Sequence, residues 1–373
     1  MRGLYIHIPF CKSICTYCDF TKRVSNENIF EKYIDRLILE IDSYKENLFN
    51  IDTVYIGGGT PNILSIRLLE KLFNRISGIL SNSKENTIEL NPELITDDLC
   101  KLLNKYNFNR VSLGVQTVKD ESIKLLNRHH NKNDIINSFK YLRNNNINNI
   151  NCDLIFGIPN TNINDVKNDL DFILSLDPTH ISYYDLIIED KTILKFMIDN
   201  NKIEKIDDDI EADMYDYIKN RLKNSLYHHY EISNFSKPGY ESIHNMIYWN
   251  IDEYIGVGLG ASGNIKNQRI DNTKDLKVYL KNFKREISEI DIETRKSEFM
   301  MLGLRLVDGI SINRYKELFN SSIFDDFKNI DNLVNKKLLE INDDKIKIND
   351  DKLFVANIIW KEFIWKEKKK KEM

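Results

Sequence analysis

Cysteine is scarce in this sequence: five in 373 residues, an odd number that does not make a disulfide framework. An excess of charge of one sign is missing as well. Lysine plus arginine (53) and aspartate plus glutamate (57) nearly cancel, to a formal net charge of −4, so no strong field draws the chain to nucleic acid or to an anionic membrane. No uncharged stretch approaches the roughly 20 apolar residues that a membrane span requires. The opening MRGLYIHIPFC has too short an apolar run for a secretory signal. What these absences leave is a cytoplasmic globular protein with no nucleic-acid partner and no integral membrane segment. Its 42% hydrophobic content is enough for a sizeable core in two or three domains.

The few cysteines are concentrated. FCKSICTYCDF, residues 10–20, puts Cys11, Cys15 and Cys18 on one short loop, whereas Cys100 falls in a predicted helix and Cys152 in a predicted strand. A structural zinc site wants four closed ligands, and no second cysteine pair exists to supply them. Three thiolates on one loop can instead hold three irons of a [4Fe-4S] cluster, because soft sulfur suits such clusters; the fourth iron is then open to an exchangeable ligand.

Along the chain, short β-branched runs alternate with longer amphipathic stretches, the pattern of strand-helix units around a parallel sheet. Six strands are predicted, starting near Leu4, Thr53, Thr87, Arg110, Asn151 and His180, with helices such as NIFEKYIDRLILEIDSYKENL and SIRLLEKLFNRISGIL between them. Six parallel units suggest an α/β partial (β/α)6 barrel, and the unusual residues gather at the strand ends where such sheets bind ligands: the cysteine loop, GGGTP, NPE, GVQ and GIP. The glycine turn at 57–61 lacks the GxGxxG of a dinucleotide fold and the lysine of a P-loop. A different architecture is expected after about residue 200. The division is 1–200 for the barrel, 201–290 for a linking section and 291–373 for a helical, winged-helix-like domain, in which SEFMMLGLRLVDGIS forms a helix ending near Gly309 and two short strands meet around residues 342–344. The closing WKEKKKKEM reads as a solvated helix end.

CxxxCxxC at the end of a first strand, followed by GGGTP, Glu89, Gln116, Arg128 and Asp153 in that order, resembles the radical S-adenosylmethionine (SAM) superfamily, and in it the coproporphyrinogen-oxidase-like branch. The resemblance covers nearly the whole chain. It implies a [4Fe-4S] cluster on Cys11, Cys15 and Cys18, with the methionine amino and carboxylate groups of SAM on the fourth iron. Position by position it implies SAM contacts at Tyr5, Tyr17, Gly58, Gly59, Thr60, Glu89, Gln116, Arg128, Asp153, Tyr184 and Ser262.

Two groups share these features. The oxygen-independent coproporphyrinogen III oxidases resemble CxxxCxxCxC and carry an N-terminal extension, whereas this chain has Phe20 at the extra cysteine position and reaches Tyr5 almost directly from Met1. The heme chaperones carry a signature resembling HNxxYW, and residues 244–249 read HNMIYW. That resemblance implies heme as cargo, a heme-acceptor protein as partner, His244 as axial ligand and Tyr248 and Trp249 as porphyrin cover; His129, His130, His228 and His229 stay open as rival ligands. The alternative is the oxidase reaction, a radical decarboxylation of porphyrinogen propionates. A cluster-based electron carrier is a third reading, with no use for the SAM motifs.

Overall fold

A computed structural model describes residues 1–364 of the chain. The charge run at 365–373 lies outside the described residues. Six parallel strands stand side by side in chain order: β1 (Arg2–Ile8), β2 (Thr53–Gly58), β3 (Glu85–Leu90), β4 (Arg110–Gln116), β5 (Asn149–Phe156) and β6 (His180–Asp185). Each strand alternates. Leu4, Ile6 and Ile8, Val54 and Ile56, Ile88, Val111 and Leu113, and Cys152 and Leu154 form the buried apolar face. The helices cover that face: Phe30, Tyr33, Ile34, Leu37 and Ile41 of Glu27–Ser43 and Leu68, Leu69, Leu72, Phe73 and Ile76 of Ile66–Leu80 recur at helical spacing and are buried. The opposite face carries Tyr5, His7, Tyr55, Glu89, Ser112, Asn151, Asp153 and His180, so the barrel interior is polar.

The section from 201 to 290, expected as a linker of different architecture, supplies six further strands to the same sheet. Beyond β6 lie β7 (His228–Glu231) and β8 (Asn234–Ser236); beyond β1 lie β9 (Glu253–Val257), β10 (Ser262–Ile265), β11 (Gln268–Asn272) and β12 (Arg285–Glu289). These strands are 3 to 5 residues long and mostly antiparallel, joined by tight turns such as Lys266 and Asn267, both at positive φ (51° and 62°). The regular strand-helix alternation that marks β1–β6 is absent here, because hairpins interrupt it and only the helices Asp208–Lys223, Ile243–Trp249 and Leu276–Lys281 fall within residues 201–290.

The C-terminal unit combines helices with a small sheet of β13 (Ile310–Ser311), β15 (Lys345–Ile348) and β14 (Leu339–Asn342), the wing expected around residues 342–344. One boundary moves. The helix Ile292–Gly303 stops six residues before Gly309: residues 305–307 leave the helix to pair with the end of β7, Ile232 N donating to Arg305 O and Val307 N to Tyr230 O (3.1 Å each), and Gly309 (φ +70°) is a turn residue.

Glu40 ties the added strands to the barrel. Fully buried on the helix Glu27–Ser43, its carboxylate accepts from Gly258 N (2.9 Å), Asn272 Nδ2 (2.7 Å) and Tyr279 Oη (2.6 Å), and Arg285 stands at 3.4 Å. Removing one partner of such a buried network leaves several donors and a cation uncompensated. Glu40→Ala is expected to lower the free energy of unfolding by about 3–5 kcal/mol, read by denaturant titration. A change below about 0.5 kcal/mol, the size of an ordinary surface substitution, would contradict this account of the sheet's attachment.

Candidate functional site

The loop after β1 is tied down at several points. Cys11 N donates to Arg23 O (3.0 Å), Thr16 N to Leu126 O (3.2 Å), Leu194 N to Thr16 O (2.8 Å) and Asn127 Nδ2 to Ile14 O (2.8 Å), while Phe10 is sunk in the core. Cys11, Cys15 and Cys18 are half-buried free thiols on this frame. Burial pushes the Cys11 thiol up, partly offset by a hydrogen bond from Thr60, and pushes Cys18 up to about 11, partly offset by the Lys22 ammonium. Arg128 Nη1 stands 3.9 Å from Cys15 Sγ. Cys100 and Cys152 lie in the apolar core, where burial drives Cys100 up to about 12 and Cys152 up as well.

The glycine turn fits tightly beside the loop. Gly59 N donates to Ile8 O and Thr60 N to Phe10 O (2.8 Å each), and a Cβ on Gly59 would lie 2.7 Å from Phe10 O and 3.0 Å from Cys11 Sγ. A Cβ on Gly57 would fall 2.6 Å from the Glu89 carboxyl carbon, and Gly58 has φ +112°. Glu89 accepts from Gly58 N (2.9 Å) and Tyr55 Oη (2.8 Å); burial still raises its carboxyl to about 7, with Asp153 adding to the rise. Asp153, also raised by burial, accepts from Ser112 Oγ and Asn151 Nδ2 (2.8 Å each). A bulge between Gly114 and Gln116 leaves Gln116 at φ +66° and turns it into the same space.

A cavity of about 490 Å³ at the carboxyl ends of the strands collects twelve of the expected residues: Cys11, Cys15, Tyr17, Cys18, Gly58, Gly59, Thr60, Glu89, Gln116, Arg128, Asp153 and Tyr184. Arg128 arrives not from a strand end but from the loop after the short helix Asp120–Leu125. Two expected SAM contacts do not line it. Tyr5 lies beneath, its hydroxyl 2.9 Å from His7 Nδ1, and Ser262 sits on β10, beyond β9, bonded to Asp271. Tyr55, Ser112 and Asn151, which hold the two carboxylates, escaped the sequence reading; their signal is the period-two alternation that puts them on the face of Glu89 and Asp153.

HNMIYW occupies the other end of the barrel. The helix Ile243–Trp249 starts on the Glu85 carboxylate, which accepts from Ile243 N (3.1 Å) and His244 N (2.9 Å). His244 is fully buried, with Nδ1 2.7 Å from Thr53 Oγ1, Nε2 2.8 Å from Tyr248 Oη and its ring stacked on Tyr55 at 5.0 Å. Burial, and then the nearby Arg110 guanidinium, lower its pKa to about 3. Neither nitrogen is free for iron in this arrangement. Trp249 turns the other way, under the Arg305 guanidinium at 4.4 Å. A chain of polar contacts runs down the barrel between the two ends: Asp153 to Asn151, Asn151 Oδ1 to His180 Nδ1 (2.6 Å) and His180 Nε2 to Tyr230 Oη (2.7 Å).

Comparison with known proteins agrees with this layout. The radical SAM superfamily model matches residues 5–173 and the HemN C-terminal domain model residues 290–351. A heme chaperone HemW from Lactococcus lactis is 36% identical over 97% of both chains. One from Bacillus subtilis is 33% identical over 98% of this chain and 99% of its own. Among solved structures, the coproporphyrinogen III oxidase HemN of Escherichia coli, a radical SAM enzyme, superposes with a TM-score of 0.82 over 97% of this chain and 89% of its own at 21% identity, a likeness of fold. With that full-length similarity and this barrel, the chain belongs to the HemW family of the radical SAM superfamily.

Proposed function

We propose that the protein binds heme and passes it to an acceptor protein, and that it carries a [4Fe-4S] cluster on Cys11, Cys15 and Cys18 with SAM beside it. The observation that carries the cluster assignment is the sharing of one cavity by three free thiols, the glycine turn and two buried carboxylates. Heme as cargo is supported by the near-complete alignment with proteins named heme chaperones and by HNMIYW. The donor set fits a cluster. Each sulfur of a cluster site takes a different iron, so the thiols need not converge on one point, and among the described residues no three His, Cys, Asp or Glu side chains gather around a single ion position.

When bound, the cluster supplies an electron and an open iron for the methionine group of SAM. The chain's own part is positioning and charge. The glycine turn lets a ligand approach the backbone closely, Glu89 and Asp153 offset a cationic ammonium, and Arg128 offsets thiolate or carboxylate charge. Tyr17, Gln116 and Tyr184 complete the wall, and the SAM set is best restricted to the residues lining the cavity. Among the described residues no helix is long and apolar enough to cross a membrane. We place the protein in the cytoplasm, where its free thiols stay reduced.

Anaerobic reconstitution of the full chain tests the assignment. Replacing Cys11, Cys15 or Cys18 with Ser should abolish the cluster's visible absorption and the reduced paramagnetic signal, while Cys100→Ser and Cys152→Ser keep both. The wild-type sample should take up about one hemin per chain and leave coproporphyrinogen III unconverted when SAM and a strong reductant are added. Steady formation of protoporphyrinogen would overturn the carrier reading in favour of an oxidase.

Glu89 adds a pH dependence. With its carboxyl raised to about 7 by burial, it is mostly neutral below that pH, and a cationic ligand favours the ionised form, so binding must release a proton there. SAM affinity, measured by calorimetry, should therefore climb between about pH 6 and about pH 8 and level off above, with the climb lost in Glu89→Gln. An affinity that is flat or falls over that window would remove Glu89 from the site.

A further inference from the structure

The helix Ile243–Trp249 has two faces. Its inner face, His244, Ile247 and Tyr248, is committed to the barrel floor. Its outer face presents Met246 and Trp249 to a separate cavity of about 340 Å³ between the barrel floor and the C-terminal unit, within the range of small-molecule sites. Strand β7 brings His228 and Tyr230 to that cavity, and the helix Ile292–Gly303 brings Phe299.

The seven histidines separate on the state of their rings. His7, His180 and His244 have both nitrogens hydrogen-bonded, and His129, His130 and His229 have one. His228 alone has neither. It is 49% exposed, and the Glu241 carboxylate stands beside it with Oε1 3.9 Å from Nδ1, beyond hydrogen-bond reach. An accessible, uncommitted imidazole at the edge of an aromatic-lined cavity is what heme iron requires of a protein, and a thioether in the same cavity offers a second soft ligand.

We propose that heme docks in this lower cavity with His228 Nε2 as the axial ligand of its iron and Met246 as a second ligand from the outer face of the HNMIYW helix, Trp249 and Phe299 packing on the porphyrin. The proposal rests on the heme-carrier reading above. Ligation is a lone-pair bond from neutral imidazole to iron in exchange for water, with no change of oxidation state. Lys345 on the cavity wall supplies positive charge for a propionate, while Arg314 on the same wall is already paired with Asp252 and Asn250, and Glu241 and Asp308 line the cavity as well. His244 then holds the helix in place, a positioning residue that does not touch the iron. The placement also suits transfer, because a half-exposed ligand on the edge strand of the sheet can be displaced by an incoming acceptor side chain.

Hemin titration of cluster-bearing full-length protein, followed by absorption and by the iron's coordination spectrum, tests this. Wild type should saturate at about one heme per chain, and His228→Ala should weaken binding by about tenfold or more, equivalent to 1.4 kcal/mol, and change the coordination spectrum. His228→Cys should replace the histidine-type spectrum with a thiolate-type one, a change that a structural defect would not produce. Unchanged affinity and spectrum in both variants, with loss of binding in His244→Ala, would overturn the proposal while leaving the protein a heme carrier. Absence of saturable binding to wild type would overturn the carrier reading itself and this site with it.

Discussion

The clamp on His244 is the constraint from which the two ends of the molecule are organised. A partial barrel of six parallel strands is not closed, and its inward face here is polar, so something must fill the floor without leaving buried donors and acceptors unpaired. The helix Ile243–Trp249 does so. Its first amides rest on Glu85 at the start of β3, and the His244 ring fits between Thr53, Tyr248 and Tyr55, close enough to β1 that a Cβ on Gly3 would lie 3.0 Å from it. Above, Tyr55 holds Glu89, and Glu89 holds the glycine turn. The geometry of the mouth is thus built on the packing of the floor.

The parts legible in the sequence were those with a local physical cause. Parallel strands alternating with amphipathic helices announce themselves by period, the cysteine loop by spacing, and the turn at 57–61 by residues that tolerate close approach and positive φ. The polar residues of β3 and β5 followed from their places near the strand ends. What depends on distant chain segments was hidden. Strands β7 to β12 are too short and too irregularly spaced to read as additions to the barrel, and the place of Ser262 on β10, outside the cavity wall, is set by β9 lying against β1. The commitment of both His244 nitrogens could not be foreseen from HNMIYW, since Thr53 is 191 residues away in sequence. The helix predicted to run to Gly309 stops at Gly303 for a tertiary reason too, the pairing of residues 305–307 with the end of β7.

On the proposed reading, these positions divide the labour. The cavity with the thiols and carboxylates opens at the carboxyl ends of the strands; the cavity beneath the floor opens towards the C-terminal unit. Between them lies a barrel interior whose polar groups are paired along Asp153, Asn151, His180 and Tyr230, and Tyr230 reaches the lower cavity. Cofactor chemistry and cargo binding need not compete for one set of ligands in such a molecule, whereas in an enzyme acting on a porphyrinogen the substrate must enter the mouth beside the cluster.

Whether cluster and heme occupy the protein together is therefore the direct test. Hemin is titrated into anaerobic, cluster-bearing protein while absorption follows heme uptake and paramagnetic resonance of the reduced sample follows the cluster. Separate sites predict saturation at about one heme per chain with the cluster signal undiminished. Heme uptake that proceeds in step with loss of the cluster signal, or that appears only when Cys11, Cys15 and Cys18 are left without a cluster, would show that the loop thiolates take the heme and would contradict the two-site account.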